Sequence, residues 1–278
     1  MARLGQLPEP SLGLRSFGAQ AMPLLTDDAL FSATGVRVAF SGRAGGVSEG
    51  AYGTLNLGLH VGDDASCVRE NRRRLMTALG APDVPLVVPS QVHGTDLVEV
   101  DDRRPLTAEV ERAQARAREG ADGVIVAAAR VAALLCFADC VPVIIVSPGG
   151  RFAVVHAGWR GVMAHIAPAA AARLAAADGV DAARLNVYLG PHIHAECFET
   201  GADVRDAFAE HFGCGCAPDA RHVDLARALA EDLSRVGVRR ERIADAGVCT
   251  KCRADGYFSY RASGGTCGRH GAVAFRLE

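Results

Sequence analysis

The chain carries no large excess of charge of either sign. Its 278 residues include 30 Lys and Arg against 32 Asp and Glu, which gives a formal net charge of −2 at pH 7. Proteins that bind nucleic acid or an anionic membrane surface usually present a basic patch. The near balance excludes the usual electrostatic basis for both kinds of partner and favours a small-molecule partner.

Long apolar runs and internal repeats are also missing. No run reaches the roughly 18 apolar residues of a membrane span. The first twenty residues contain Pro8 and Pro10, where a signal peptide needs an unbroken apolar segment. These two absences predict a cytoplasmic protein. No repeat with a period of about 20 to 50 residues and no low-complexity linker divides the chain, so a solenoid is excluded and one domain is favoured.

The chain has enough apolar residues for one substantial core, since 49% of it is hydrophobic. Residues 1–30 contain three prolines and show no periodicity, which predicts an irregular N-terminal arm. Residues 31–278 are then expected to form a single catalytic domain. Strands and helices alternate irregularly there, with several consecutive strands, and this pattern predicts an α+β fold with mixed sheets.

Nine cysteines are present, an odd number that leaves at least one thiol unpaired. A chain of this size does not need disulfides, so reduced thiols are expected, some of them as metal ligands. Cys249 and Cys252 form a CxxC pair that could, with Cys214 and Cys216, build a second zinc site of four thiolates. Coincidence explains that spacing more simply, because neither pair has the glycine context of a zinc knuckle.

The middle of the chain combines buried strands with metal-capable side chains. Val131–Phe137 and Val141–Val146 are continuous apolar runs, typical of strands covered on both faces, and Phe152–Val155 predicts a third strand. Cys140 and His156 stand at the ends of these strands. We therefore expect the two side chains to leave the sheet close together, as in an active site.

His93, in a loop between two predicted strands, adds a second imidazole to this pair. One thiol and two imidazoles leave a fourth position open, which is the ligand set of a catalytic zinc. Two other interpretations stay open. The three residues could be unrelated, or Cys140 could be a nucleophile with His156 as its base and Asp139 or Glu196 orienting that base.

Six segments also carry a family resemblance. They are SQVHGTDLVEV at 90–100, ADGVIV at 121–126, FADCVPVIIV at 137–146, VVHAGWRG at 154–161, LGPHIHAECFET at 189–200 and FSYRASGGTCGR at 258–269. Together they closely resemble the YfiH family, also called the laccase-domain or polyphenol oxidase family. The resemblance implies an α/β/β/α fold with mixed sheets and a zinc ion held by His93, Cys140 and His156.

The resemblance also implies an activity, namely phosphorolysis of the purine nucleosides adenosine, inosine, guanosine and methylthioadenosine, with adenosine deamination beside it. Arg43, Arg160 and Arg261 resemble the motif arginines of the family, and three guanidinium groups suit an anionic co-substrate such as phosphate. Gln91 is expected to bind substrate with them. Ala262 stands where the family usually has a second arginine, so this chain departs from the pattern there.

The sequence thus predicts a zinc-dependent purine nucleoside phosphorylase, active as a monomer or small homo-oligomer. Its expected catalytic residues are His93, Cys140 and His156, with Asp139 or Glu196 as a conceivable proton carrier. A metal-free Cys–His hydrolase and an amidase that edits peptidoglycan precursors are the alternatives. Copper is a second option for the metal, but a copper polyphenol oxidase is less favoured because the nine histidines are mostly dispersed.

Overall fold

The computed structural model describes residues 5–278, which contain twelve β-strands and seven α-helices. The strands are β1 (Gly13–Phe17), β2 (Met22–Thr26), β3 (Val36–Ser41), β4 (Leu86–Val87), β5 (Leu97–Val100), β6 (Gly123–Val126), β7 (Ala132–Phe137), β8 (Val141–Val146), β9 (Phe152–Ala157), β10 (Asn186–Leu189), β11 (Ile243–Asp245) and β12 (His270–Arg276). The helices are α1 (Asp28–Thr34), α2 (Ala65–Ala78), α3 (Leu106–Arg118), α4 (Trp159–Met163), α5 (Ile166–Asp178), α6 (Ala202–Phe212) and α7 (Leu225–Arg235). In this part of the chain no helix has the length and apolarity that a membrane crossing needs.

The strands form two six-stranded mixed sheets. The first sheet has the order β1-β2-β3-β12-β7-β4, and β4 runs parallel to β7 while the other pairs are antiparallel. The second sheet has the order β11-β10-β8-β9-β6-β5, with parallel pairs at its two edges. The α+β class with mixed sheets is therefore confirmed.

The two sheets stack face to face, and each is covered by helices on its other side. Along β8, Ile144 belongs to the core between the sheets, whereas Val143 and Ile145 point to the core shared with α5 and α7. This alternation follows from the two-residue period of a strand, and burial on both faces explains the continuous apolar runs. Leu75 and Met76 of α2 pack on the first sheet. The layers are α/β/β/α, as expected.

The prediction of an irregular N-terminal arm is wrong for most of its length. β1 and β2 pair as an antiparallel hairpin, and α1 begins after Asp27, whose carboxylate accepts the Leu30 N–H at 2.9 Å. Pro23 fits into β2 because the pairing of β2 with β3 begins only at Leu24, so its missing N–H costs no bond to that strand. Residues 1–4 of the arm lie outside the described residues.

Two loops and the end of strand β9 converge at one end of the stacked sheets. The turn at residues 138–140 carries the chain from β7 in the first sheet to β8 in the second. His156 lies in β9, beside β8 and opposite Pro142. The loop at 88–96, between β4 and β5, reaches the same end because β5 pairs with β6, which pairs with β9.

Candidate active site

The structure brings His93, Cys140 and His156 together at this end of the sheets. Their ligand atoms lie within 4.8 Å of one another, and Cys140 Sγ is 4.0 Å from His93 Nε2. The two imidazole rings meet edge to face, with centroids 4.8 Å apart. A tetrahedral zinc with bonds of about 2.0–2.3 Å sets its ligand atoms roughly 3.5 Å apart, so adjustments of about an ångström complete this geometry.

Asp122 is the buried acid that organises these ligands. Its carboxylate accepts the backbone N–H groups of Val92, His93 and Gly94 at 3.2, 3.0 and 2.6 Å, and it lies 2.8 Å from His156 Nδ1. With Nδ1–H donating to Asp122, Nε2 is the ring nitrogen of His156 that can bind a metal, in exchange for its proton. Burial raises the pKa of Asp122, but the His156 imidazole and the N–H groups of Gly94 and Val92 bring it below its ordinary value.

Cys140 and His156 stabilise each other as a thiolate and an imidazolium in the metal-free protein. Burial opposes a charge on either group. The attraction of the His156 imidazolium nevertheless lowers the pKa of Cys140 to about 6. The thiolate and Asp122 likewise raise the pKa of His156 to about 9. Cys140 is therefore a thiolate at neutral pH, which is the form that binds a metal or attacks an electrophile.

The backbone around the cluster is constrained. His93 and Asp139 have φ angles of 59° and 91°, in the left-handed region that non-glycine residues rarely adopt. Such strain persists where the surrounding structure enforces it, and it is concentrated at functional sites.

A Cβ on Gly158 would stand 3.0 Å from His93 Cδ2 and 3.1 Å from Cys140 Sγ. The absence of a side chain at this position leaves room for the ligands.

A cavity of about 490 Å³ opens above the cluster. This volume is in the range of small-molecule sites. Besides the three candidate ligands, it is lined by His60, Gln91, Cys136, Ala138, Asp139, Trp159, Ile193, Phe198, Tyr260, Arg261 and Arg269. The lining combines aromatic rings with cationic groups and suits a planar molecule together with an anion.

Asp139 and Gln91 line the cavity as predicted, but their polar groups are engaged with the protein. Asp139 Oδ1 accepts the Thr250 hydroxyl at 2.6 Å, and Oδ2 accepts the Arg261 N–H at 2.7 Å. The Gln91 amide donates to the Cys136 carbonyl and accepts its N–H, both at 2.8 Å. These contacts favour a positioning role for both residues over the proton transfer considered for Asp139.

Arg43 and Arg160 do not line the cavity, in contrast to Arg261. The Arg43 guanidinium donates to the carbonyls of Gly53 and Ala254, each at 2.8 Å, and lies 4.8 Å from the Phe258 ring centroid. These contacts hold the group away from the cavity, so the geometry gives no support to its predicted phosphate role. Arg160 is exposed, and its guanidinium stacks 4.4 Å from the Trp159 ring centroid.

Asp122, His60 and Arg269 are site residues that the sequence analysis missed. Asp122 stands in the ADGVIV segment, immediately before β6. Arg269 ends the last motif, and its guanidinium donates to the carbonyls of Cys267 at 2.8 Å and Gly268 at 3.0 Å. An acid just before a buried strand and an arginine that closes a recognised motif were the available signals.

Comparison with known proteins identifies the family. The family model described as multi-copper polyphenol oxidoreductase laccase matches residues 37–276. A purine nucleoside phosphorylase of Pseudomonas aeruginosa is 37% identical over 239 residues, which cover 83% of this chain and 90% of the relative. Adenosine deaminase RL5, from an unknown prokaryotic organism, is 35% identical over 241 residues with the same two coverages.

The solved structures agree with the sequence comparisons. The crystal structure of YlmD from Geobacillus stearothermophilus superimposes with a TM-score of 0.81 at 31% identity, covering 95% of this chain and all of that one. The YfiH protein of Bacillus licheniformis gives the same TM-score at 25% identity, covering 94% of this chain and 99% of that one. The chain therefore belongs to the multi-copper polyphenol oxidoreductase laccase family, the laccase-domain family of YfiH and YlmD.

Proposed function

We propose that the protein is a zinc-dependent purine nucleoside phosphorylase with adenosine deamination as a side activity. The observation that carries the proposal is the placement of the His93, Cys140 and His156 cluster in the same cavity as the Arg261 and Arg269 guanidinium groups. The names of the two relatives, an adenosine deaminase and a purine nucleoside phosphorylase, support this class of reaction.

The residues present fit zinc as the metal. Two imidazoles and one thiolate form a three-ligand set of borderline softness, and the cavity leaves a fourth position for water or substrate. Asp122 fixes the orientation of His156, as an acid beside a metal-bound histidine usually does. When bound, zinc supplies Lewis acidity towards the substrate.

Copper oxidase chemistry has less support. The second group of metal-capable side chains among the described residues contains three cysteines and a glutamate but no histidine. Imidazole is a preferred ligand of oxidase copper, so this group does not fit a further copper centre of that kind. The family description therefore does not decide the reaction of this chain.

The cavity walls supply the remaining functions that phosphorolysis needs. Trp159, Phe198 and Tyr260 offer aromatic surfaces against which a purine can stack. Arg261 and Arg269 offer charge-assisted hydrogen bonds to phosphate, whose oxygen would replace the base nitrogen at the anomeric carbon. Burial, together with the charges of Arg269 and Arg72, lowers the pKa of His60, which leaves this cavity imidazole neutral at pH 7.

The experiment that tests the proposal incubates zinc-loaded protein with adenosine or inosine, with and without phosphate, and resolves the products by chromatography. We expect phosphate-dependent release of adenine or hypoxanthine together with pentose 1-phosphate. Release of the base at the same rate without phosphate would show a hydrolase. Conversion of adenosine to inosine as the main reaction would make deamination the principal activity.

A metal-free hydrolase is the second candidate, because Asp122, His156 and Cys140 also have the order of an acid, a base and a nucleophile. That mechanism gives His93 no role, although His93 Nε2 is 4.0 Å from the Cys140 sulfur. An amidase acting on peptidoglycan precursors would use the same groups. Assays with chelated protein, on nucleosides and on such a precursor, test both alternatives.

A further inference from the structure

A second group of metal-capable side chains lies outside the cavity. Glu196, Cys197, Cys249 and Cys252 each offer one ligand atom, and these atoms lie within 4.8 Å of one another. The sulfurs of Cys197 and Cys252 are 3.5 Å apart, and all these cysteines are free thiols. A tetrahedral zinc with Zn–S bonds of about 2.3 Å sets its sulfurs roughly 3.8 Å apart, so the observed spacing already suits such an ion.

The surroundings of Cys249 favour a thiolate. The His194 N–H donates to its sulfur at 3.5 Å, and the N–H groups of Cys252 and Lys251 are also directed at it. Several N–H groups that converge on one atom form an anion-binding nest, and a metal ligand must be deprotonated.

The four side chains come from two segments that are distant in sequence. Glu196 and Cys197 follow β10, whereas Cys249 and Cys252 follow β11, its parallel neighbour. Backbone contacts already join the segments, since His192 N–H donates to the Val248 carbonyl at 3.1 Å and Thr250 N–H donates to the His192 carbonyl at 2.9 Å. The two segments that carry the ligands are thus held side by side by backbone hydrogen bonds.

We propose that Glu196, Cys197, Cys249 and Cys252 bind a structural zinc ion, separate from the candidate catalytic one. Three thiolates and a carboxylate fill all four tetrahedral positions, and such a closed set is the mark of a structural site. Binding releases the protons of the thiols that are still protonated.

The sequence alone offers Cys214 and Cys216 as possible partners of the CxxC motif, with coincidence as the simpler explanation. Those two cysteines lie in the connection between α6 and α7, and Cys216 is buried in the apolar core that α7 shares with the second sheet. The partner of the motif is Cys197, which precedes the cavity residue Phe198.

The proposed zinc would fix one wall of the active-site cavity. The Arg261 guanidinium donates to the Glu199 carbonyl at 2.9 Å, two residues after Cys197. Thr250, between the cysteines of the CxxC motif, donates its hydroxyl to Asp139, which in turn accepts the Arg261 N–H. The identity of the molecule that this wall contacts depends on the proposed function. The presence of the structural zinc does not depend on it.

The test measures metal content in protein purified under reducing conditions without chelator. We expect about two zinc ions per wild-type chain and about one in Cys252→Ser, because each site holds one ion. Cys214→Ser is the matched control and should keep both, since Cys214 is an exposed cysteine outside the cluster. Equal zinc in wild type and Cys252→Ser would overturn the proposal.

A second measurement does not depend on how well Cys252→Ser folds. Cys140 is the one cysteine in the group formed with His93 and His156, so Cys140→Ala removes thiolate ligation from that group. Cobalt(II) added to metal-free Cys140→Ala protein should still give strong sulfur-to-cobalt charge-transfer absorption, as expected for three thiolates. Absence of that band, or a Cys197–Cys252 disulfide in the reduced and zinc-supplied protein, would refute the site whatever the outcome of the nucleoside assay.

Discussion

Asp122 Oδ1 lies 2.8 Å from His156 Nδ1, and the same carboxylate holds the backbone N–H groups of His93 and Gly94. One buried acid thus orients the side chain of one candidate metal ligand and the loop that carries another. This coupling joins β6 and β9 of the second sheet to the loop after β4. The metal affinity of the cluster should therefore depend on a residue that is not itself a ligand.

Asp122→Asn should weaken zinc binding by roughly tenfold to a hundredfold, because the amide loses the charge that orients His156 and cannot accept as many N–H groups. Competition with a chromogenic chelator measures the affinity. Asp219→Asn is the matched control, since Asp219 makes the same 2.8 Å contact to His222 Nδ1 at the surface. Equal losses in both variants would show that Asp122 has no special role.

Gly158→Ala should lower zinc affinity and activity while the protein stays folded. The added methyl would stand 3.0 Å from His93 Cδ2 and 3.1 Å from Cys140 Sγ, so these ligands would have to move by a few tenths of an ångström. Gly256→Ala is the control, because its Cβ would meet only the Arg253 carbonyl, at 3.8 Å. Zinc titration and thermal unfolding compare the two, and an unchanged affinity in Gly158→Ala would contradict the expectation.

Arg261→Gln and Arg269→Gln should each raise the KM for phosphate by roughly tenfold to a hundredfold, because each loses a charge-assisted hydrogen bond to the anion. Bound zinc should not change. Arg160→Gln is the matched control, since Arg160 stacks on Trp159 and does not line the cavity. Initial rates at varied phosphate measure the effect. A larger effect at Arg160 than at Arg269 would restore the assignment made from sequence.

The proximity of Cys140 and His156 could be predicted because their positions depend on strand ends. Cys140 and His156 border apolar runs that form neighbouring strands, and neighbouring strands bring their ends together whatever the side-chain rotamers. The direction in which a side chain points cannot be predicted from the apolar pattern of the strands. Arg43 stands in a glycine-rich loop that suits an anion, yet its guanidinium donates to the Ala254 carbonyl, 211 positions away in sequence.

Pairing between segments that are distant in sequence also explains the other differences between the structure and the sequence predictions. Cys197 and Cys252 are 55 positions apart, and only the parallel pairing of β10 with β11 brings their segments together. Likewise, the first 30 residues look irregular because their prolines suggest broken strands. Pro23 lies in β2 before the pairing with β3 begins at Leu24, so its missing N–H costs no hydrogen bond to β3. Neither strand pairing can be read from the sequence near the residues concerned.

Alkylation of Cys140 in chelated protein should show an unusually low pH midpoint. Its thiol has a pKa of about 6, because the attraction of the His156 imidazolium outweighs burial. The thiolate therefore persists down to about pH 6, whereas an ordinary thiol with a pKa of about 8.5 is mostly protonated there. Iodoacetamide rates at Cys140, followed by mass spectrometry, should fall only below about pH 6. In His156→Gln the midpoint should rise, and an unshifted midpoint in that variant would contradict this cause.

Zinc should protect Cys140 from the same reagent, and this separates the ligand from the nucleophile. As a ligand, Cys140 reacts only after chelation, and Cys140→Ala loses metal and activity together. As a nucleophile, it reacts in untreated protein, and chelators leave activity unchanged. We expect the ligand behaviour because His93 and His156 both face the sulfur. In zinc-loaded protein, single substitutions of His93, Cys140 or His156 should each remove about one zinc per chain. Full activity of wild-type protein without any metal would instead rule out the zinc mechanism and favour the metal-free alternative.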